Sequence, residues 1–231
     1  NKKDIVTTVD ISIERFLEKQ LKKIIPNSLF IGEEIYNTNP HIIDFYNSNQ
    51  LCWTVDPIDG TRNFVNGIDM FAIMISLSKK NKILQSWIYR PMSDEFCYAI
   101  KNKGTYLNYN KILINKITNI DQSIGSISNK YWAQKDFNQI NKIKILFKKV
   151  NSYGCIGLEY LDIIKSIRNF GILSKLHPWD HIPGILILRE AGGFDSFFNG
   201  QKYIYPNKNN LVIASDKDLG NKILSLLVGE K

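Results

Sequence analysis

Residues 51–67, LCWTVDPIDGTRNFVNG, begin as an apolar strand and end as a run of turn formers. Asp56 and Asp59 lie where the two parts meet, and Gly60 and Thr61 follow directly. A buried carboxylate without a partner costs free energy, and two at one strand end cost more because like charges repel. This strand end therefore predicts a partner of opposite charge, which the other acidic residues help to identify.

The composition indicates a globular protein in a reducing compartment. The 231 residues, 44% of them hydrophobic, suit one large domain or two closely fused halves. No apolar run approaches the about 20 residues of a membrane span, and residues 1–21 contain no signal-peptide core, so we expect no membrane partner. The sequence contains an odd number of cysteines, Cys52, Cys97 and Cys155, and none of them has CxxC spacing. This pattern predicts a cytoplasmic protein without structural zinc.

The formal net charge of +8 permits an anionic substrate or a nucleic acid. The lysines are spread among Asn and Ile, as in residues 101–119, rather than gathered with aromatic residues or glycine. This distribution favours a general composition bias. We therefore expect no nucleic-acid partner.

Hydrophobic periodicity predicts an α+β fold. The predicted helices cover residues 4–24, 134–149, 156–168, 181–191 and 217–228, and the predicted strands cover 29–31, 51–55, 71–78, 84–90, 95–100, 123–128, 170–174 and 211–214. Residues 35–50 are polar and turn-rich, so a loop is expected there. The chain divides into an N-terminal half, 1–120, with an antiparallel meander and most of the candidate acidic residues, and a C-terminal half, 121–231, with alternating strands and helices.

Four acidic residues lie at the ends of predicted elements: Glu33, Asp56 and Asp59 after apolar strands, and Asp180 at the start of a helix. Taken singly, Asp180 can cap its helix, and Asp56 and Asp59 can shape a turn. Taken together, a cluster of buried carboxylates is tolerable when cations fill it, because like charges raise each other's pKa. Oxygen ligands without histidine are what Mg²⁺ prefers.

Residues 56–61, DPIDGT, combine several features of a phosphate site. Pro57 stiffens the link between the two aspartates, and the Ile58 carbonyl is free to act as a neutral oxygen ligand. Gly60 permits a conformation that exposes backbone N–H groups, and Thr61 adds a hydroxyl. Exposed N–H groups beside metal ions form a cradle for phosphate.

Five motifs follow one another along the chain: DIVTTVD (4–10), FIGEE (30–34), WTVDPIDGTRNFVNG (53–67), YGCIGLEYLDI (153–163) and PWDHIPGILILREAGG (178–193). In this order they resemble the signatures of the inositol monophosphatase superfamily, whose members are Mg²⁺-dependent, lithium-sensitive sugar and polyol phosphatases. The resemblance covers residues 4 to about 216. It implies a layered α-β-α-β-α sandwich, often a homodimer, with an additional helix before residue 1.

The resemblance also implies a ligand set for two or three Mg²⁺ ions. Glu33, Asp56 and the Ile58 carbonyl are expected to hold the first ion together with the substrate phosphate. Asp56, Asp59 and Asp180 are expected to hold the second, and a third, weaker ion is expected near Glu33. Two adjacent metal ions can stabilise both the attacking and the leaving oxygen of a displacement.

By the same resemblance, Asp10 and Thr61 match a dyad that orients or deprotonates the attacking water, and Glu33 completes the catalytic set. Substrate contacts are implied or expected at Asp59, Gly60, Thr61, Gly154, Cys155, Glu159 and Asp180. Cys155 is expected to pack and offer backbone contacts rather than act as a nucleophile. Glu159 faces either the distal end of the substrate or, equally, solvent or a dimer face.

Other positions depart from the family or add little. Leu173 stands where inositol-specific members often carry a glutamate that contacts ring hydroxyls, which weakens inositol as the natural substrate. Asn63 favours the inositol and histidinol phosphatase branches over the nucleotidase branch. Pro183 is expected in the first turn of its helix, where proline is tolerated. The histidines, His41, His177 and His181, are expected to be bystanders.

The favoured function is a Mg²⁺-dependent phosphomonoesterase that hydrolyses a small polyol or sugar phosphate resembling inositol 1-phosphate. Histidinol phosphate is the alternative substrate. A regulatory or RNA-contacting member of the family is a second class of function. A Ca²⁺-binding module is disfavoured because residues 56–60, DPIDG, lack EF-hand spacing.

Overall fold

Two β-sheets organise the part of the chain that the computed structural model describes, residues 7–206 and 209–228. The helices are α1 (Thr8–Ile24), α2 (Glu33–Thr38), α3 (Thr61–Val65), α4 (Gln134–Ile143), α5 (Ile156–Ile164), α6 (Pro178–Glu190) and α7 (Lys217–Val228). The strands are β1 (Leu29–Gly32), β2 (Cys52–Asp59), β3 (Ala72–Lys79), β4 (Lys82–Arg90), β5 (Glu95–Ile100), β6 (Gly104–Leu107), β7 (Asn110–Ile112), β8 (Ile124–Ile127), β9 (Lys149–Val150), β10 (Phe170–Leu173), β11 (Phe194–Phe197) and β12 (Leu211–Ala214).

The first sheet contains seven strands in sequence order, β1 to β7, and the second contains five in the order β11-β12-β10-β8-β9. From β2 to β7 each strand pairs antiparallel with the next, which confirms the predicted meander. β1 instead runs parallel to β2, with Gly32 opposite Val55. Parallel strands end at the same edge of a sheet. The residues that follow β1 therefore lie beside the acidic end of β2.

The helices and strands pack into five layers, and three hydrophobic clusters lie between these layers. Leu21 of α1 packs with Trp53 and Val55 on the outer face of the first sheet. Helices α5 and α6 lie between the sheets, and their apolar residues share one core with strands of both. Helices α4 and α7 cover the outer face of the second sheet through residues such as Ile140 and Ile223. The predicted α-β-α-β-α sandwich is confirmed, and the division at residue 120 stays a prediction.

Most differences from the predicted elements occur where the sequence lacks strong periodicity. The loop predicted over 35–50 is wrong: α2 extends to Thr38, and a 3₁₀ helix covers Pro40–Asn47. The helix predicted over 134–149 ends at Ile143 and gives way to a 3₁₀ turn and β9, and the helix predicted over 156–168 ends at Ile164. The short strands β6, β7, β9 and β11 were not predicted. Residues 4–6 of the first predicted helix lie outside the described residues.

Helix α6 begins at Pro178, three residues before the predicted start. Pro183 therefore lies in the second turn rather than the first, where it removes one intrahelical hydrogen bond. The helix nevertheless continues to Glu190, because nearly all of its side chains are buried and tertiary packing provides most of the stability of a helix in such a position. None of the helices within the described ranges is long and apolar enough to cross a membrane.

Candidate active site

A β-bulge at the end of β2 brings Asp56 and Asp59 to the same side of the strand. In a regular strand, side chains three residues apart point to opposite faces. The pairing with β3 changes register here, since Asp56 lies opposite Met74 and Asp59 opposite Ala72, so three steps on β2 match two on β3. The extra residue of the bulge shifts the alternation of side chains, so that Asp56 and Asp59 point to the same side. The Ile58 N–H donates to Asp56 Oδ1 at 3.0 Å and holds that carboxylate within the bulge.

Gly60 turns the chain from β2 into α3 with a left-handed φ of 91°. A Cβ at this position would lie 2.9 Å from the Met70 carbonyl oxygen and 3.0 Å from Cys155 Cβ, so both the backbone conformation and the space require glycine. Asn63, in the same short helix, donates through Nδ2 to the carbonyls of Met70 and Tyr153 at 2.8 Å. The turn is thereby attached to the loop that precedes α5.

Thr61 connects the turn to α1. Its hydroxyl Oγ1 lies 2.9 Å from the Ile58 carbonyl oxygen and 3.3 Å from Asp10 Oδ1. A hydroxyl has a single proton, so it donates to one of these acceptors at a time. Asp10 is buried in the first turn of α1, where its other oxygen accepts hydrogen bonds from the N–H and hydroxyl of Thr7 in a capping box.

Glu33 and Asp180 complete the acidic group. Glu33 is the first residue of α2, directly after β1, and Asp180 is the third residue of α6. Burial, the charge of Asp180 and the other nearby carboxylates raise the pKa of Glu33 to about 9. Burial and the charges of Glu33, Asp59 and Asp180 also raise the pKa of Asp56. These carboxylates therefore lie close enough to raise one another's pKa, and their role as metal ligands stays a prediction.

Asp59 differs from its neighbours because the second half of the chain donates hydrogen bonds to it. Its Oδ2 accepts from the Gly157 N–H at 2.5 Å and from Cys155 Sγ at 3.1 Å. Burial raises the pKa of Asp59 to about 6, and these hydrogen bonds oppose the increase. Burial also raises the pKa of the Cys155 thiol well above its usual value, so a nucleophilic thiolate is disfavoured, in agreement with the packing role predicted for this residue.

The donor set fits a hard divalent cation. Four carboxylates and the Ile58 carbonyl supply only oxygen, which is the ligand chemistry of Mg²⁺. Burial first, and then the charges of the neighbouring carboxylates, raise the pKa values of Glu33 and Asp56, and a cation among these residues would oppose both effects. As the described side chains stand, no three His, Cys, Asp or Glu residues form a ready-made metal site.

Glu159 is buried and not solvent-facing, which removes one of the two predicted alternatives. Its Oε1 accepts hydrogen bonds from Ser152 Oγ at 2.8 Å and from the Tyr153 N–H at 2.9 Å. Glu159 is among the residues that line the same cavity as Asp59 and Asp180, and its contact with substrate stays a prediction. It also fixes the loop before α5 that contains Gly154 and Cys155.

A cavity of about 400 Å³ opens above the acidic group. Its lining includes the predicted residues Glu33, Asp59, Gly60, Thr61, Gly154, Cys155, Glu159, Leu173 and Asp180. Asp10 and Asp56 lie beneath it, buried. Three basic residues, Arg62, Lys130 and Lys175, line the cavity as well. Sequence reasoning did not identify these residues, because lysines are common throughout the chain and no pattern distinguishes the two that fold toward the site.

The histidines take different positions. His177 lines the cavity, and its ring stacks on Trp179 with centroids 4.7 Å apart. His181 also lines the cavity, but burial lowers its pKa to about 3, so the ring is neutral near pH 7. Its Nδ1 lies 3.3 Å from the Tyr160 hydroxyl. His41 is exposed, in the 3₁₀ helix Pro40–Asn47, and lies outside the cavity lining.

Comparison with known proteins agrees with this geometry. The model of the inositol monophosphatase family matches residues 1–230. The chain belongs to this family. It is 28% identical to inositol-1-monophosphatase of Bacillus subtilis over 226 residues, which cover 96% of this chain and 83% of that protein. It is 25% identical to fructose-1,6-bisphosphatase/inositol-1-monophosphatase of Thermotoga maritima over 209 residues, 90% of this chain and 77% of that protein.

Among solved structures, inositol monophosphatase II of Staphylococcus aureus superposes with a TM-score of 0.84 at 27% identity, covering 96% of this chain and 82% of that chain. Like other members of the inositol monophosphatase family, the protein is a phosphatase that hydrolyses phosphate monoesters. The assignment of the bulge, the left-handed glycine and the Asp10–Thr61 contact to the active site stays a prediction.

Proposed function

We propose that the protein is a Mg²⁺-dependent phosphomonoesterase acting on a small polyol or sugar phosphate. One observation carries this proposal. The bulge in β2 directs Asp56 and Asp59 to the side where Glu33 and Asp180 approach. The contact between Thr61 and Asp10 lies beside these carboxylates. A metal-dependent hydrolase needs these two parts together, an oxygen-rich cation site and an acceptor for a proton of water.

The acidic residues would hold the ions in two overlapping sets. Glu33, Asp56 and the Ile58 carbonyl form one set, and Asp56, Asp59 and Asp180 form the other, with room for a third ion near Glu33. When bound, Mg²⁺ polarises the phosphate, lowers the pKa of a ligated water and neutralises charge on the leaving oxygen. The shared Asp56 keeps the two sets adjacent.

The residues of the chain orient the water and the phosphate. With the Ile58 carbonyl directed toward a cation, the Thr61 hydroxyl donates to Asp10, and its oxygen accepts a hydrogen bond from the attacking water. Asp10 is the final acceptor, held in place by Thr7. Gly60 and Thr61 line the cavity, and their backbone N–H groups are the proposed donors to phosphate oxygens.

The cavity indicates a small substrate. Its volume of about 400 Å³ suits a phosphorylated polyol or monosaccharide. Leu173 is 2% exposed and lines the cavity, so this position offers no carboxylate to ring hydroxyls. Glycerol or sugar phosphates are therefore proposed alongside inositol 1-phosphate. Gly154, Cys155 and Glu159 are the proposed contacts to the alcohol part.

Histidinol phosphate is the second candidate, and Glu159 is the observation that favours it. A buried carboxylate on the cavity wall suits a cationic amine. Lys130 and Lys175, which line the same cavity, oppose this substrate through like charge. We therefore rank it below the uncharged alcohols.

A phosphate-release screen tests the proposal. The panel contains inositol phosphates, histidinol phosphate, glycerol phosphates, fructose bisphosphate and adenosine bisphosphate, each with Mg²⁺ and with EDTA. We expect turnover of a polyol or sugar phosphate that disappears with EDTA and falls when lithium is added. Metal-independent turnover would contradict the mechanism. A salt-sensitive RNA complex without turnover would favour the regulatory alternative.

The proposal includes a cytoplasmic homodimer. The three cysteines are free and buried, which suits a reducing compartment. Sedimentation or light scattering at micromolar concentration measures the assembly state directly. A monomer under all conditions would remove the dimer from the proposal and leave the proposed chemistry intact.

A further inference from the structure

Glu14 is a buried acid that the ligand set leaves unexplained. It lies on α1, four residues after Asp10, so both side chains occupy one face of the helix. Its side chain is only 1% exposed. Burial raises the pKa of Glu14 to about 7, and the charges of Glu34 and Glu18 add to this effect. A glutamate in so unfavourable an environment requires a compensating interaction.

The compensating interaction is with the first turn of α2. Glu14 Oε2 accepts from the Glu34 N–H at 2.8 Å, and Oε1 accepts from the Ile35 N–H at 2.9 Å. These are two of the N–H groups that lack partners within a helix. Gly32, the N-cap of α2, provides no side-chain hydrogen bond of its own. A carboxylate from another helix therefore performs the capping that the local sequence omits.

Gly32 is part of the same contact. A Cβ at this position would overlap the Glu14 carboxylate. Glycine therefore precedes Glu33 because the acid from α1 occupies the space where a side chain would lie. The Gly-Glu-Glu sequence at 32–34 thus combines a space for Glu14, a cavity-lining carboxylate and a capped N–H group.

We propose that Glu14 is a positioning residue for the metal site: it fixes the first turn of α2 and thereby the direction of the Glu33 carboxylate. This proposal rests on the proposed function, in which Glu33 is a metal ligand. The rigid helix α1 then determines two parts of the site, the water-orienting Asp10 and, through Glu14, the ligand Glu33. Loss of such an outer contact typically lowers metal affinity about 10- to 100-fold.

The test compares Glu14→Gln with the matched control Glu18→Gln on the same helix. Glutamine keeps the shape but turns an amide N–H₂ group toward one of the two backbone donors. Glu18 forms an exposed ion pair with Lys22, so its replacement should change little. Mg²⁺ affinity is measured by calorimetry and by the Mg²⁺-induced increase in Tm, and kcat and KM are measured at saturating Mg²⁺.

We expect Glu14→Gln to weaken Mg²⁺ binding about 10- to 100-fold while KM for substrate at saturating Mg²⁺ stays within about twofold. Glu18→Gln should bind Mg²⁺ as the wild type does. A lower Tm with unchanged Mg²⁺ affinity would show a purely structural role and overturn the proposal. If wild-type protein shows neither Mg²⁺ binding nor Mg²⁺-dependent turnover, the proposed function itself fails, and the positioning role fails with it.

Gly32→Ala provides a second route, which also serves if Glu14→Gln folds poorly. The added methyl group displaces the Glu14 carboxylate, so Mg²⁺ affinity should fall by a similar factor. Because both variants break one contact, the double variant should bind Mg²⁺ only about as weakly as the weaker single variant. Fully additive losses, or a Gly32→Ala variant with wild-type affinity, would contradict the proposal.

Discussion

The β2–α3 junction and the C-terminal loops that face it across the cavity are built differently. At the junction, a bulge, a proline and a left-handed glycine hold the carboxylates through the backbone, so DPIDGT leaves few alternative conformations. The opposite wall consists of loop residues such as Lys130 and Lys175, together with Leu173 at the end of β10. In the proposed function, the junction would determine the reaction, and the opposite wall would determine the substrate.

The largest expected effect is at the junction. Asp59→Asn or Asp180→Asn should lower kcat at least about 10³-fold, because either change removes one charge of the cation site, worth several kcal/mol in the transition state. Phosphate release under saturating Mg²⁺ measures the loss, with circular dichroism to show that the fold is intact. Asp94→Asn, at an exposed turn, is the control and should keep wild-type activity. Full activity in the site variants would place the chemistry elsewhere.

The second-largest effect is expected at Gly60, and Gly67 is the comparison because both glycines have a left-handed conformation. Gly60→Ala introduces strain and steric contact with Met70 and Cys155, and should lower kcat/KM about 10- to 100-fold by displacing the phosphate-binding turn. Gly67→Ala introduces strain alone, because nothing lies within 4 Å of its added Cβ. It should lower stability by about 1 kcal/mol and leave kcat unchanged. Denaturant unfolding and initial rates separate the two, and equal kinetic losses would contradict the argument.

Substitutions on the opposite wall should alter substrate selectivity rather than the rate of the chemical step. Leu173→Glu places a carboxylate where the cavity wall is apolar, and should raise kcat/KM for inositol 1-phosphate relative to glycerol phosphate about 10-fold. Leu173→Gln introduces a side chain of similar size and polarity to glutamate but without its charge. Comparison of the two variants distinguishes a hydrogen-bonding effect from an electrostatic one. An unchanged ratio in both variants would show that this position does not face the alcohol.

The smallest effect is expected at Cys155. Cys155→Ser keeps a donor to Asp59 Oδ2, and the raised pKa of the thiol disfavours a thiolate role, so kcat should change by less than about threefold. Initial rates and resistance to a thiol reagent measure this. Complete inactivation of the serine variant would indicate a nucleophilic cysteine and reverse the assignment.

Prediction from the sequence succeeded where periodicity or spacing was strong. The closing helix was predicted at residues 217–228, which are its observed bounds, and the first four strands of the meander, β2 to β5, were predicted within a few residues. Residues 35–50 were predicted wrongly because a short helix and a 3₁₀ helix leave little periodic signal in a polar segment. The three-residue strand β7 was also not predicted, because its structure depends on pairing with a neighbouring strand.

The sequence by itself provided the proposed donor set. The types and order of Glu33, Asp56, Asp59, Thr61 and Asp180 already indicate phosphoryl chemistry with an oxygen-ligated cation, since ligand type depends on chemical identity, which the sequence states directly. Only the tertiary structure decided the directions of these side chains. The phase change in β2 depends on its pairing with β3, and the cap on α2 comes from a helix that precedes it in the chain by about twenty residues. Such contacts arise between distant segments, so no local pattern encodes them.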